Sequence, residues 1–373
     1  MRWIALLFSA LGALLGGEAI ARRVVDDVYL ERQIGSGGVL VPYEPGASAD
    51  LLQPEFRVRY EIDRFGHRDR LDRREAHTPG VPRIALLGDS FAAGWGVEFA
   101  DTFASRLERA TGIEVIDSAK NGGCPLWYVA QARWLRERFA PDWLLVQLFD
   151  NDPDDNRQFM DRFELGYGER EGELPHAIGP LDTLARRLHH AWDSTVIQHR
   201  FRQLQRRLSG KRLARTPYVK PGAKPSAEIL TRAQAIQRYA IDLSPNRPWD
   251  GPFSFHDPSQ REGWRERIAW NAQLLDQLIE ESARAGVPVA VLYIPAYPVF
   301  LRAREPNPAA DAAREVAQRR GALWLDATEL FASSPAPAEL YYAFDSHLDP
   351  AGHAAIADAV VRELAPRVRA AAH

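Results

Sequence analysis

The chain has 373 residues, of which 46% are hydrophobic and 26% charged, a composition typical of one large folded domain or two smaller ones. Its formal net charge of -3 argues against a protein that binds nucleic acid through overall positive charge. Cys124 is the single cysteine, so an internal disulfide and a cysteine-rich metal site are both excluded. The sequence indicates neither a metal nor an organic cofactor.

The first 23 residues have the pattern of an export or anchoring segment. Arg2 precedes an apolar run over residues 3–17, and residues 19–21 extend it past Glu18. About 20 apolar residues span a bilayer, so the extended run is long enough for one crossing. We therefore predict a signal anchor over 1–23 that places the rest of the chain on the extracytoplasmic side. A cleaved signal peptide, which would give a secreted protein, and a buried first helix are the alternatives.

Residues 24–80 contain no long periodic element and are rich in charge, glycine and proline. This composition predicts a stem that leads to the folded core. Within it, the alternation of apolar and charged residues over 57–62 indicates an edge strand.

From residue 81 onward, apolar runs alternate with amphipathic segments. The predicted strands are 84–87, 114–117, 143–149, 287–294 and 322–326. The predicted helices are 102–110, with Asp101 as N-cap, 128–139, 262–285, 311–320 and 352–364. Alternating strands and helices indicate a parallel sheet covered on both faces, so residues 81–152 and 262–373 are predicted to form a flavodoxin-like, doubly wound α/β domain with five parallel strands.

Residues 153–261 interrupt this alternation and are predicted to form a largely helical insertion or cap. The stretch 184–215 is basic, which fits a solvated helix face, a surface for anionic polysaccharide or lipid headgroups, or a lid over the active site. Four aromatic residues near the end of the insertion could stack on sugar rings or pack in the core: Trp249, Phe253, Phe255 and Trp264.

The sequence Gly88-Asp89-Ser90-Phe91 directly follows the first strand of this domain. Open parallel sheets bind ligands at the carboxyl ends of their strands, and the glycine permits a sharp turn there. Ser90 is therefore a candidate nucleophile, with a helix-capping serine as the structural alternative.

Asp345 and His347 lie in a predicted loop just before the last helix. A serine hydroxyl needs a base to remove its proton, and the base needs a carboxylate to orient it. The two-residue spacing allows Asp345 to reach one ring nitrogen of His347 while the other faces Ser90. A structural histidine beside an acidic helix cap is the alternative.

Together these segments resemble the SGNH hydrolases, also called GDSL esterases, over roughly residues 57–153 and 262–366. On this resemblance Ser90 is the nucleophile, His347 the base and Asp345 its orienting carboxylate. The resemblance also implies an oxyanion hole, formed by the Ser90 N–H, the Gly122 N–H (or that of Gly123) and the side chain of Asn151.

Two departures from the family pattern are visible. The block before Asn151 is usually rich in glycine, whereas Phe149 and Asp150 stand there in this chain. In many members the histidine follows the aspartate by three positions, whereas in this chain it follows by two. The shorter spacing resembles that of some exported members that act on polysaccharides.

The resemblance implies a serine hydrolase that cleaves an O-acyl ester, with acetyl on a cell-surface or exported glycan as the first expectation. An O-acyltransferase, a lipase or lysophospholipase, and a non-catalytic glycan-binding scaffold remain alternatives. The expected partners are an acylated small molecule or glycan and, through the N-terminal segment, a membrane. The sequence does not indicate an oligomeric state.

Four other features have structural explanations at the sequence level. His353 is expected to begin or pack the last helix, and Asp349 to cap it. Cys124 is expected to pack as a small apolar residue. His189, His190 and His199 are not expected to form a metal site.

Overall fold

The computed structural model describes residues 40–162, 165–166, 176–177, 228–249, 251–302 and 306–371. The predicted anchor over 1–23 and the basic stretch 184–215 lie outside these residues. In the part that is described, no helix has both the length and the apolar character needed to cross a membrane.

The chain divides into two compact units. The larger comprises Gln33–Phe159 and Ile229–His373, and the smaller comprises Met1–Arg32 and Met160–Glu228. In the smaller unit, Leu165–Gly166 pairs antiparallel with His176–Ala177. The larger unit contains the motif residues named above and part of the predicted insertion.

Seven strands and nine α-helices are described from residue 40 onward, apart from that short pair. The strands are β1 (Ser48–Gln53), β2 (Phe56–Glu61), β3 (Arg83–Leu87), β4 (Glu114–Asp117), β5 (Trp143–Phe149), β6 (Val289–Ile294) and β7 (Leu323–Asp326). The helices are α1 (Phe103–Thr111), α2 (Pro125–Phe139), α3 (Asp152–Arg162), α4 (Arg232–Tyr239), α5 (Arg265–Arg284), α6 (Pro308–Arg319), α7 (Ala327–Leu330), α8 (Pro350–Glu363) and α9 (Ala365–Ala371).

The main sheet has five strands in the order β4-β3-β5-β6-β7, and every neighbouring pair is parallel. Every residue of β3, β5 and β6 is buried, as expected for strands covered on both faces. Numbered along the chain, the order is 2-1-3-4-5, which is the doubly wound order of flavodoxin-like folds. The predicted fold class is confirmed, and its switch point lies between β3 and β5.

The five predicted helices begin one to three residues away from their predicted starts, and two of these shifts have a clear local reason. Helix α1 is capped by Thr102 rather than by Asp101, because the Thr102 side chain accepts a hydrogen bond from the Ser105 N–H. Helix α2 begins at Pro125, three residues before the predicted start. A proline fits the first turn of a helix because its missing N–H has no intrahelical partner there.

The segment 40–80 contains a β-hairpin. Strands β1 and β2 pair antiparallel from Ser48 opposite Glu61 to Gln53 opposite Phe56, and they form a two-stranded sheet of their own. The predicted edge strand over 57–62 is present as β2, and its sheet is this hairpin rather than the main sheet. Residues of β2 alternate between buried and exposed, so one face of the hairpin packs against the protein.

The aromatic residues at the end of the predicted insertion pack mainly in the interior. Trp249, Phe255 and Trp264 are buried, and Phe253 is partly buried against the main core. For Trp249, Phe255 and Trp264, this burial favours core packing over sugar stacking.

Candidate active site

The sharp turn after β3 positions Ser90. A Cβ on Gly88 would lie 2.4 Å from the Ala92 Cβ and 2.7 Å from the Gln147 Oε1, so only glycine fits at this position. The next residue is tied to β5, because the Asp89 N–H donates to the Gln147 Oε1 at 3.0 Å. After Ser90 the chain forms turns rather than a helix, so this serine is not a helix cap in this structure.

Ser90, His347 and Asp345 form a continuous hydrogen-bonded chain. The Ser90 Oγ lies 2.8 Å from His347 Nε2, and His347 Nδ1 lies 2.6 Å from Asp345 Oδ1. These contacts assign the tautomer in which Nδ1–H donates to the carboxylate and Nε2 accepts from the serine hydroxyl. The His347 side chain is 22% exposed and that of Asp345 is 10% exposed, so the histidine can be reached from solvent while the carboxylate is shielded.

Two aromatic residues from the turn after β3 flank this chain. The rings of Phe91 and Trp95 lie 4.8 Å and 5.8 Å from the His347 ring, measured between centroids. The Trp95 Nε1–H also donates to Asp345 Oδ2 at 3.1 Å. Both carboxylate oxygens of Asp345 thus accept hydrogen bonds, which fixes the plane of the group that orients His347. Trp95 was not predicted from the sequence, because nothing in its local pattern relates it to Asp345, 250 positions away.

The segment 341–348 brings Asp345 and His347 onto the same side of a tight loop. The Tyr342 N–H donates to the His347 carbonyl at 2.8 Å, and the Ser346 N–H donates to the Tyr342 carbonyl at 3.0 Å. Ser346, between the two, adopts a positive φ of 77°, a conformation that is uncommon for residues other than glycine. The loop explains how a step of two residues suffices for contact between the two side chains.

A buried carboxylate outside the predicted set holds this loop. Glu55, at the tip of the β1–β2 hairpin, accepts hydrogen bonds from the backbone N–H groups of Ala343 at 3.0 Å, Phe344 at 2.7 Å and Asp345 at 3.2 Å. Burial raises the pKa of Glu55, although these three N–H groups oppose the rise and the nearby charge of Asp345 adds to it.

The predicted oxyanion donors lie on loops at the same sheet edge. The N–H groups of Ser90 and Gly122 donate no hydrogen bond within the described part of the chain, so both are available to a ligand. Gly122 is exposed with a φ of 65°. The alternative residue Gly123 is already engaged, because its N–H donates to the Lys120 carbonyl at 2.9 Å. Of these two glycines, Gly122 is therefore the one with a free donor.

Asn151 lies in the short turn between β5 and helix α3. Its carbonyl accepts hydrogen bonds from the N–H groups of Asp154 and Asp155 at 2.9 and 3.0 Å. Its side-chain Oδ1 is buried and has no hydrogen-bond partner among the described residues. A buried carbonyl oxygen without a protein partner is an acceptor that a donor on a ligand or a water would satisfy.

Asp150, the residue before Asn151, points into a buried cluster. Its carboxylate accepts from His256 Nε2 at 3.0 Å, the Ala296 N–H at 2.8 Å, Asn307 Nδ2 at 3.0 Å and the Tyr293 hydroxyl. Burial alone would raise the pKa of Asp150, but the His256 ring and the other donors outweigh it and hold the pKa below its usual range. This residue fixes the loop of Asn151 to the β6 side of the sheet.

Two further buried carboxylates lie on the loops that carry Ser90 and Asn151. Asp89 accepts a hydrogen bond from the Phe91 N–H at 2.8 Å, and burial raises its pKa to about 6, while the Phe91 N–H and His347 oppose the rise. Burial and the negative charge of Asp89 raise the pKa of Asp152 well above its usual range. The two acids therefore disfavour each other's ionised form close to the nucleophile loop.

The other residues singled out in the sequence have structural roles. His353 is buried, accepts a hydrogen bond from the Phe103 N–H at 3.2 Å and stacks on the Phe103 ring, which confirms the packing prediction. Burial lowers its pKa to about 3, so it stays neutral. Asp349 caps α8 as predicted. Cys124 is fully buried and its burial raises the thiol pKa, which leaves it an unreactive packing residue.

Within the residues that the structure describes, no group of three or more histidine, cysteine, aspartate or glutamate side chains is arranged to hold a metal ion. His189, His190 and His199 lie outside these residues.

Neither a family model nor a curated protein matches the chain. Several solved structures resemble it. TesA aligns with a TM-score of 0.40 and 12% identity over 76% of this chain and 98% of its own. A member of the lipolytic protein G-D-S-L family from Veillonella parvula aligns with a TM-score of 0.38 and 8% identity over 76% and 98%.

A variant of Axe2, an acetyl-xylooligosaccharide esterase from a Geobacillus species, aligns with a TM-score of 0.37 and 12% identity over 78% of this chain and 96% of its own. Structures named for the G-D-S-L family are thus among those that the chain resembles, as its motifs predict. The fold assignment itself rests on the strand order and register of this chain.

Proposed function

We propose that this protein is an SGNH-type serine hydrolase that cleaves carboxylic esters through an acyl-enzyme on Ser90. The hydrogen-bonded chain from Ser90 Oγ through His347 to Asp345 carries the proposal, because it supplies a nucleophile, a base and an orienting carboxylate in order. Ser90 and His347 are 257 positions apart in the sequence, and a purely structural serine would not require this arrangement.

The geometry supports a two-stage reaction. In the first stage, Ser90 Oγ attacks the ester carbonyl carbon while His347 Nε2 takes the hydroxyl proton. Asp345 stabilises the resulting imidazolium through the Nδ1–H bond. Collapse of the tetrahedral adduct breaks the bond to the alkoxide, which takes the proton from His347 and leaves as an alcohol.

In the second stage, water attacks the acyl-enzyme and gives its proton to His347. Collapse of this second adduct breaks the bond to Ser90 Oγ, which takes the proton back from His347, and the carboxylic acid is released. In both stages the carbonyl oxygen carries negative charge, and the free N–H groups of Ser90 and Gly122, with the Asn151 amide, are the donors proposed to stabilise it.

For the substrate, we propose an O-acyl group, with acetyl first, on a cell-surface or exported glycan. The support comes from the predicted export segment over 1–23 and from the two-residue step between Asp345 and His347. Transfer of the acyl group to a sugar hydroxyl shares the first stage with hydrolysis, so incubation with an aryl acetate with and without oligosaccharide distinguishes the two. Comparing acetyl with long-chain acyl esters tests the lipase alternative in the same assay.

The proposal predicts that Ser90→Ala abolishes both hydrolysis of an aryl acetate and covalent labelling by a fluorophosphonate, since both need the activated hydroxyl. Ser333→Ala is the matched control, because Ser333 is exposed and its hydroxyl donates to the Leu330 carbonyl rather than to a histidine, and it should label and hydrolyse like the wild type. Circular dichroism verifies that both variants are folded. Labelling of folded Ser90→Ala at the wild-type rate would refute the proposal, and a wild type that never labels would favour a binding scaffold.

A further inference from the structure

The hairpin carboxylate Glu55 lies in the two-residue connection between β1 and β2 and belongs to no strand of the main sheet. Only 7% of the residue is exposed. One carboxylate oxygen accepts the Ala343 N–H, and the other accepts those of Phe344 and Asp345. Three successive N–H groups directed at one anion form a concave binding arrangement that is normally seen around a bound ligand. Here the anion is part of the chain itself.

Tyr342 in the same loop makes two further contacts, one to the hairpin and one to the turn after Ser90. The rings of Phe56 and Tyr342 lie 4.9 Å apart between centroids. The Tyr342 hydroxyl donates to the Gly96 carbonyl at 2.9 Å, which links the His347 loop to the turn that follows Ser90. The hairpin tip therefore touches the loop at the point where it approaches the nucleophile segment.

A cation just after the hairpin holds the nucleophile segment itself. Arg68 is buried and donates to the carbonyls of Ala93 at 2.8 Å, Gly94 at 2.6 Å and Val97 at 2.7 Å. Its guanidinium lies 3.7 Å from the centroid of the Tyr60 ring in β2. One carboxylate thus binds N–H groups on the His347 loop, and one guanidinium binds carbonyls on the Ser90 segment.

We propose that Glu55 is a positioning residue for the reaction: by binding the N–H groups of residues 343–345, it holds Asp345 and His347 at the distance from Ser90 that proton transfer requires. This inference rests on the proposed ester hydrolysis. The loop contains no helix or strand beyond the Tyr341–Leu348 bridge, so its shape depends on such external contacts. Displacement of a reacting group by about 1 Å can cost a hundredfold in rate.

The test compares Glu55→Gln with Glu61→Gln. The glutamine keeps the size of Glu55 but replaces one accepting oxygen by an NH2 group that faces an N–H donor. Glu61 lies exposed at the end of β2, so its variant makes the same chemical change on the same hairpin without touching the loop. We expect kcat for an aryl acetate to fall about tenfold to a hundredfold in Glu55→Gln, with KM within twofold. Glu61→Gln should match the wild type.

Two further readouts separate positioning from a general effect on folding. Hydrogen exchange should accelerate at the amides of residues 343–345 in Glu55→Gln, and the downfield proton resonance of the His347–Asp345 hydrogen bond should weaken or disappear. Wild-type kcat together with an unchanged resonance would overturn the proposal. If Glu55→Gln does not fold, Glu55→Asp keeps the charge but withdraws the carboxylate by one methylene, and wild-type kcat in that folded variant would equally overturn it.

Failure of the proposed function gives a different pattern. A wild type that neither labels nor hydrolyses would refute ester hydrolysis. In that case, loss of the downfield resonance in Glu55→Gln would still show that Glu55 positions the Asp345–His347 pair, whereas an unchanged resonance would refute the positioning role as well.

Discussion

The loop with Asp345 and His347 and the loop with Asn151 lie at the same edge of the sheet, and a buried carboxylate holds each of them. Asp150 belongs to the loop that it fixes and reaches outward to donors on three other segments. Glu55 belongs to a hairpin 290 residues earlier in the chain than Asp345 and reaches inward to the loop backbone. The two carboxylates thus act in opposite directions. Asp150 attaches its own loop to other segments of the core, whereas Glu55 attaches a distant loop to the hairpin.

The two carboxylates also have opposite pKa shifts for a physical reason. Asp150 faces side-chain donors that include the His256 ring, and these outweigh the cost of burial, so its pKa is lowered. Glu55 receives only neutral backbone N–H groups and faces the charge of Asp345, so burial prevails and its pKa is raised. Burial of a carboxylate is stabilising only where its donors exceed what water provided. The comparison indicates that the surroundings favour the ionised form of Asp150 and disfavour that of Glu55.

The largest expected effect falls on the loop held by Glu55. Asp345→Asn should lower kcat for an aryl acetate about ten-thousandfold, because an amide no longer selects the His347 tautomer that leaves Nε2 free to accept the Ser90 proton. Steady-state kinetics and circular dichroism on the same preparation test this. A folded variant that retains a tenth of the wild-type kcat would show that Asp345 does not orient the histidine.

A smaller effect is expected on the loop held by Asp150. Asn151→Ala should lower kcat about a hundredfold to a thousandfold with little change in KM, because the amide is proposed to act on the charged adduct rather than on the bound ester. Asn246→Ala is the control, since Asn246 is exposed. Equal kcat values for the two variants would remove Asn151 from the oxyanion hole.

The smallest effects concern stability, and they test the comparison itself. Asp150→Asn should lower the free energy of unfolding by about 3 kcal/mol, because the amide leaves His256 and Tyr293 without their anionic acceptor. The advantage of wild type over this variant should shrink as pH falls from 5 to 3, since a carboxyl with a lowered pKa stabilises the folded state only while it is ionised.

Glu55 should show the opposite sign in the same measurement. Its folded pKa lies above that of the unfolded chain, so the advantage of wild type over Glu55→Gln is fully present below pH 4.5 and declines as pH rises through the folded pKa. Urea titrations of the three proteins across this pH range provide the values. Pairwise differences that change with pH in the same direction for both variants would contradict the contrast between the two carboxylates.

Much of the main domain was predicted from the sequence, because its determinants are local. Strands β4 and β5 have the predicted bounds, since both are apolar runs between clear breaks. The candidate residues Ser90, Asp345 and His347 were found because each stands in a recognisable segment beside a strand end or a helix start. The sequence also predicted that Asp345 could reach the His347 ring across a spacing of two positions. The structure brings both side chains together with Ser90.

The contacts that hold these residues in place were decided by the tertiary structure alone. In the sequence, Glu55 is a charged residue after a proline in a segment rich in glycine, proline and charge, and nothing in its local pattern marks it as buried. Asp150 likewise looks like a departure from a glycine-rich block, and only the positions of His256, Tyr293 and Asn307 turn it into a buried anchor. Periodicity and turn chemistry act between neighbours along the chain and so can be read from it. The partner of a buried charge is chosen by which distant segments pack together, and that choice exists only in the folded protein.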